Sequence, residues 1–183
     1  MEQPLTWYET IPAADRVGVD VMAKWLRRVQ WQAFCTFEFT HRVSLPQGQE
    51  AFRLYINELE RTLRARVTFV LGQERRSATP TRSAAPLHFH ALMTSEVPLS
   101  PELMRTRWWS FAGRGKDGHT ADIQEYVRGG RGEEYCLKFM NNVEGDWWHR
   151  NLGFYLPGMP GPRKGGHRSA RACTRFRSRA QEK

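Results

Sequence analysis

The sequence predicts a single α+β domain in two layers, an antiparallel sheet with helices on one face. Three observations lead there. Segments with a two-residue apolar period alternate with segments on a helical period, in the order β, α, β, β, α, β, α. The second and third of those strands follow one another across a polar turn, as an antiparallel hairpin does. The hydrophobic fraction of 40% is enough for one core in a chain of 183 residues, a length that suggests one domain and a tail.

Residues 1–18, with Pro4, Pro12 and Gly18, read as an irregular lead-in. Residues 19–30 read as a short amphipathic helix, with Val19, Met22, Leu26 and Val29 near helical spacing and Trp25 beside them. Residues 33–40 are aromatic and β-prone and make the first strand. Its Cys35, Phe37 and Phe39 share one face, and Phe34, Thr36 and Glu38 the other. A long helix follows over 47–64, carrying Phe52, Leu54, Tyr55, Ile56, Leu59 and Leu63, with no Gly or Pro after Gly48.

The second strand covers 66–71 and ends in Gly72-Gln73-Glu74. Residues 75–86 form a long polar turn, and 87–94 the third strand. A helix over 98–111 opens with Ser100-Pro101-Glu102 in cap-like order, and its Trp108 and Trp109 pack or lie at a surface. The fourth strand spans 120–127. Residues 133–142 form the next helix, with acids in the first turn as the helix dipole prefers. Residues 147–156 give a last strand or an irregular cover. The domain is thus expected over 1–156, with its core at 33–142, followed by a disordered basic tail at 157–183. This order is that of split-βαβ, ferredoxin-like and RRM-like domains, which leave one sheet face open to a nucleic-acid strand.

The charge is unevenly placed. The chain carries +9, but residues 157–183 hold eight Lys/Arg against one Glu, so the rest is nearly balanced. Such a tail favours nucleic acid through phosphate contacts and counterion release, with Arg163, Lys164, Arg168 and Arg171 as candidate contacts. The three cysteines, Cys35, Cys136 and Cys173, lack the spacing of a disulfide framework or a zinc ribbon and fit a reducing compartment. No run of eighteen apolar residues and no signal pattern occurs, so a cytoplasmic protein without a membrane partner is expected.

The chemistry centres on Leu87-His88-Phe89-His90-Ala91. Strand geometry points His88 and His90 to one face and Phe89 to the other. They are either ordinary sheet histidines or most of a metal site that lacks one ligand. The hairpin brings Glu74 near them. Two imidazoles and a carboxylate leave positions open on Mg²⁺ or Mn²⁺, which would polarise a phosphate oxygen. Forty-five residues after His90 comes Tyr135-Cys136-Leu137-Lys138. A tyrosine can form a covalent ester with phosphorus, but its ordinary pKa of about 10 calls for a nearby cation. Lys138, one turn on and on the same face, could lower that pKa or hold the phosphate. Read singly, Tyr135 is a core residue, Lys138 a solvated one, and Glu74 a turn residue paired with Arg75 or Arg76. Their conjunction favours catalysis.

Glu74, then His88-Phe89-His90, then Tyr135-Cys136-Leu137-Lys138, resembles the HUH endonucleases, specifically the single-tyrosine rolling-circle replication initiators. The resemblance covers about residues 33–142, with Phe34 to Thr40 in the place of the family's first motif. It implies a metal-dependent, sequence-specific nickase and strand-joining enzyme for single-stranded DNA. Tyr135 and Lys138 would be catalytic, and His88, His90 and Glu74 would hold the metal. Arg75 and Arg76 would join the DNA contacts, with a host helicase and polymerase as further partners. Positions 131 and 139, one turn either side, are Arg131 and Phe139, which disfavours a two-tyrosine mode and leaves Tyr126 as a weaker nucleophile. A related transposase would carry Gln where Lys138 stands, and a relaxase would carry a third histidine. Outside enzymes, the chain would be an RRM-like single-strand binder using Phe37, Phe39 and the tail.

Overall fold

The computed structural model describes residues 11, 13–75, 87–115, 120–138 and 147–150. Its elements are α1 (Ala13–Leu26), β1 (Ala33–Glu38), α2 (Leu45–Leu63), β2 (Val67–Arg75), β3 (Leu87–Ser95), α3 (Pro101–Ala112), β4 (Ala121–Glu125), α4 (Gly132–Leu137) and β5 (Trp147–Arg150). The strands form one sheet in the order β4-β1-β3-β2-β5, every neighbouring pair antiparallel. β1 and β2 therefore flank β3, and β3 and β4 flank β1. This is the expected α+β class with a split-βαβ arrangement.

Alternation sorts the side chains. Cys35 and Phe37 of β1, with Phe39 just beyond it, and Leu87, Phe89, Ala91 and Met93 of β3 face α2 and α3. There they meet Phe52, Tyr55, Ile56, Met104 and Trp108 in the main core. Trp108 is fully buried because its indole N–H finds a partner, the carbonyl of Glu38 at 2.9 Å. Phe37 and Phe39 thus lie under helices, and the proposed stacking surface of an RRM-like binder is corrected: burial beneath α2 and α3 removes both rings from any strand of nucleic acid.

The opposite face has its own partial cover. Val19, Ala23 and Leu26 of α1 and Cys136 and Leu137 of α4 pack over Val70 and Leu92 of the sheet. The open surface foreseen for a nucleic-acid strand is correspondingly reduced to the β1–β4 side, where Glu38, Asp122 and Gln124 are exposed.

Several boundaries differ from expectation for physical reasons. α1 starts at Ala13 and ends at Leu26, whereas the sequence placed it at 19–30. Gly18 reads as a breaker, yet burial of Val19, Ala23 and Leu26 outweighs the roughly 1 kcal/mol a mid-helix glycine costs. Trp31 then donates its indole N–H to the carbonyl of Leu26 at 3.1 Å and closes the helix end. α2 begins at Leu45 through a capping box between Ser44 and Gln47. β2 runs on to Arg75, four residues past its expected end. The α4 helix is described only to Leu137, and its expected continuation to Asn142 lies outside the described residues. No helix among the described residues is long and apolar enough to cross a membrane.

Candidate metal and nucleophile site

The longer β2 is what builds the site. Glu74 is a strand residue, paired directly with His88, and Gly72 pairs with His90. On the other side of β3, Thr36 pairs with His90 and Glu38 with His88. Residues directly opposite in an antiparallel pair point to the same face, so two rows of side chains cross the sheet here.

Their polar atoms converge on one oxygen. Glu74 Oε2 lies 3.2 Å from His88 Nε2, 3.1 Å from His90 Nε2 and 2.6 Å from Lys138 Nζ. The side chains are only 14% (Glu74), 8% (His88), 7% (His90) and 10% (Lys138) exposed, so these contacts act with little water between them. Burial alone would raise the Glu74 carboxyl, but hydrogen bonds from His88, His90 and Lys138 and the lysine charge hold it far below the usual carboxylate range. Burial lowers His90 to about 4, with the nearby charges of Lys138 and His88 acting the same way and Glu74 opposing. His90 is therefore neutral at physiological pH, the form a metal requires.

Glu74, His88 and His90 each offer one ligand atom, all within 4.8 Å of one another, a group close enough to hold a metal ion. The Oε2–Nε2 spacings of 3.1 and 3.2 Å match the edge of an octahedron with bonds of about 2.1 Å, which is about 3.0 Å. A carboxylate with two imidazoles is a donor set for a borderline or hard divalent ion. Thr36 Oγ1 sits 3.1 Å from His90 Nδ1 and fixes the ring with Nε2 toward Glu74.

Helix α4 brings the tyrosine. Its descent onto the sheet requires Gly72, since a Cβ there would lie 2.2 Å from the Cys136 carbonyl oxygen. Tyr135 then places its ring edge-on to His90 with centroids 4.5 Å apart, and Phe34 meets it edge-on at 5.8 Å. Lys138 Nζ lies 3.8 Å from the centroid of the Tyr135 ring, a cation–π contact. The two acids of the helix start anchor it elsewhere: Glu134 pairs with Arg27 of the segment after α1, and Glu133 accepts from the Tyr126 hydroxyl. Burial, then Glu133, push the Tyr126 hydroxyl well up, which holds its proton and unsuits it as the substitute nucleophile. The Cys136 thiol is likewise raised by burial and faces the core.

The structure thus gathers Glu74, His88, His90, Tyr135 and Lys138, all five read from the sequence. Arg75 ends β2, and its side chain, like Arg76, Arg163, Lys164, Arg168 and Arg171, lies outside the described residues. Sequence reasoning missed Thr36, Phe34, Gly72 and Arg27. Thr36 and Phe34 were assigned a shared face, but only the β1–β3 register places that face beside His90. Comparison with family models, with curated proteins and with solved structures finds no match to this chain.

Proposed function

We propose that this chain is a metal-dependent, sequence-specific endonuclease that nicks and rejoins single-stranded DNA, in the manner of a rolling-circle replication initiator. One observation carries the reading: His88, His90 and Lys138 meet on a single oxygen of Glu74, and the Tyr135 ring stands against His90. Three separate stretches of chain, β2, β3 and α4, must cooperate to produce that convergence. A core tyrosine beside a solvated lysine would not need them.

Glu74, His88 and His90 would hold Mg²⁺ or Mn²⁺, whose chemistry is to withdraw charge from a non-bridging phosphate oxygen. The protein's own groups do the rest. His90, held neutral and oriented by Thr36, would offer Nε2 to the ion once its ring proton sits on Nδ1, where the Thr36 hydroxyl can accept its hydrogen bond. The ring contacts with His90 and Phe34 restrict Tyr135 to one approach, so its hydroxyl meets the phosphodiester without a search over rotamers. The Tyr135 oxygen bonds to phosphorus as the bond from phosphorus to the 3′ oxygen breaks. The phenolic proton is lost to solvent and the leaving 3′ oxygen takes one up, giving a 5′-phosphotyrosine and a free 3′-OH. Attack by a 3′-OH on that ester reverses the step and joins strands.

The test uses the full chain with a pool of single-stranded oligonucleotides and Mn²⁺, read on a denaturing gel and by peptide mass spectrometry. A covalent adduct is expected on the peptide containing Tyr135, absent with chelator and absent in Tyr135→Phe. Tight binding without an adduct, across varied sequences and metals, would overturn the reading in favour of a non-catalytic binder. An adduct that survives Tyr135→Phe would overturn the choice of nucleophile.

A further inference from the structure

The oxygen that a divalent ion needs is already engaged. Lys138 Nζ lies 2.6 Å from Glu74 Oε2, closer than either imidazole. An anion this buried is costly without a counter-charge, and the ammonium supplies one. Resting on the metal-site reading above, we propose that Lys138 is a tethered counter-cation. It neutralises Glu74 while no metal is bound, and a divalent ion displaces it from Oε2 toward the phosphate that the ion presents.

Sterics and charge both require the exchange. An ion bonded at about 2.1 Å to Oε2 and to both Nε2 atoms occupies the side of the carboxylate where these donors converge. Nζ cannot keep its present distance from Oε2 beside a doubly charged ion without strong like-charge repulsion. The lysine also has somewhere to go. Its long stem is flexible, and Nζ already lies 3.8 Å from the Tyr135 ring centroid, so it can leave Oε2 and slide along the ring toward the hydroxyl end. That end is where a scissile phosphate must sit for Tyr135 to reach it.

The imidazoles are prepared for the same change. With no metal, His90 Nε2 at 3.1 Å donates to Glu74 Oε2, and Nδ1 accepts from the Thr36 hydroxyl. A metal needs Nε2 bare, which moves the ring proton to Nδ1. A hydroxyl both donates and accepts, so Thr36 rotates and remains bonded in either state. The charge count then couples the two events. Glu74 with Lys138 is neutral, whereas Glu74, Lys138 and a divalent ion together carry two positive charges, one of which a phosphodiester offsets. Metal and phosphate therefore bind with positive coupling.

The experiment is Mn²⁺ binding by calorimetry to the full chain without nucleic acid, comparing wild type, Lys138→Met and Lys138→Arg. Removing the competitor should tighten Mn²⁺ binding about 5- to 150-fold in Lys138→Met, the usual span of coupled sites, whereas Lys138→Arg should stay near wild type. A readout on wild type alone accompanies it: acetylation of Lys138, followed by peptide mass spectrometry, should be slow without metal and faster with saturating Mn²⁺. Mn²⁺ that binds wild type yet leaves Lys138 labelling unchanged, or binds Lys138→Met no more tightly, overturns the exchange and leaves the metal site standing. Failure of folded wild type and folded Lys138→Met alike to bind Mn²⁺ overturns the metal site and the exchange with it.

Discussion

Phe89 and His90 are neighbours on β3, yet they live in different media. Phe89 faces α2 and α3, fully buried among Phe39, Phe52 and other rings. His90 faces the other way and is almost as buried, but its neighbours are Glu74, Lys138, Thr36 and Tyr135. The first face gains from every contact, because burying apolar area needs no partner of particular charge. The second holds an anion, a cation and two imidazoles in the same low-water setting, and each is tolerable only while the others stay in place. One strand thus carries core residues on one face and, on the residues between, the histidines of the candidate metal site.

The strongest way to break this contrast is to truncate the two neighbours separately. Phe89→Ala should cost about 3–5 kcal/mol in urea unfolding, because it empties a ring-sized space in the core. His90→Ala should abolish Mn²⁺ binding by calorimetry while costing much less stability. Equal stability losses would show that the two faces are not specialised.

Next in size is the contact that joins them. Gly72→Ala puts a methyl against the Cys136 carbonyl and should cost about 1–3 kcal/mol. It should also lift α4, so the Tyr135 adduct falls while Mn²⁺ binding persists, since the ligands belong to β2 and β3. An unchanged adduct yield would mean that this packing does not position Tyr135.

A smaller effect is expected from Thr36→Val, which keeps the shape and removes the hydroxyl bonded to His90. Mn²⁺ affinity should drop about 10- to 100-fold with the thermal midpoint nearly unmoved.

The smallest is a slope with pH. Glu74 is held below its ordinary range and His90 at about 4 against an ordinary 6.5, so the unfolded chain binds more protons than the folded one in this window. Both contributions favour the folded state near neutrality; the His90 part is lost as pH drops from about 6.5 to about 4, and the Glu74 part as pH drops below the ordinary carboxylate range. Thermal midpoints of metal-free protein across the His90 window should fall more steeply for wild type than for His90→Ala. Parallel curves would remove His90 from the account.

Period-two and helical patterns were enough to foresee β1, α2, β3 and α3, because each of these elements buries one face of a regular structure. The histidine pair was legible for the same reason: alternation alone puts His88 and His90 together. Tertiary effects were not legible. Gly72 and Gln73 look like the end of a strand, since glycine weakens β structure and offers nothing to pack. Here glycine is present because a helix backbone takes the room a side chain would need. Gly18 misled in the same way, as its cost is offset by burial of Val19, Ala23 and Leu26 in its own helix against α4 and the sheet. The role of Thr36 depended on which strand lies beside β3, and a single sequence does not specify strand order.

β3 lies inside the sheet, bonded along its length to β1 on one side and β2 on the other. Its amides are held by two neighbours and should exchange with solvent only when the whole domain opens. α4 is six residues long and is held by side-chain packing on α1, Val70 and Leu92 rather than by strand pairing, so its amides should exchange sooner than those of β3. The two halves of the site should therefore keep different clocks in hydrogen exchange, with β3 protected until the domain opens and the tyrosine helix exchanging sooner.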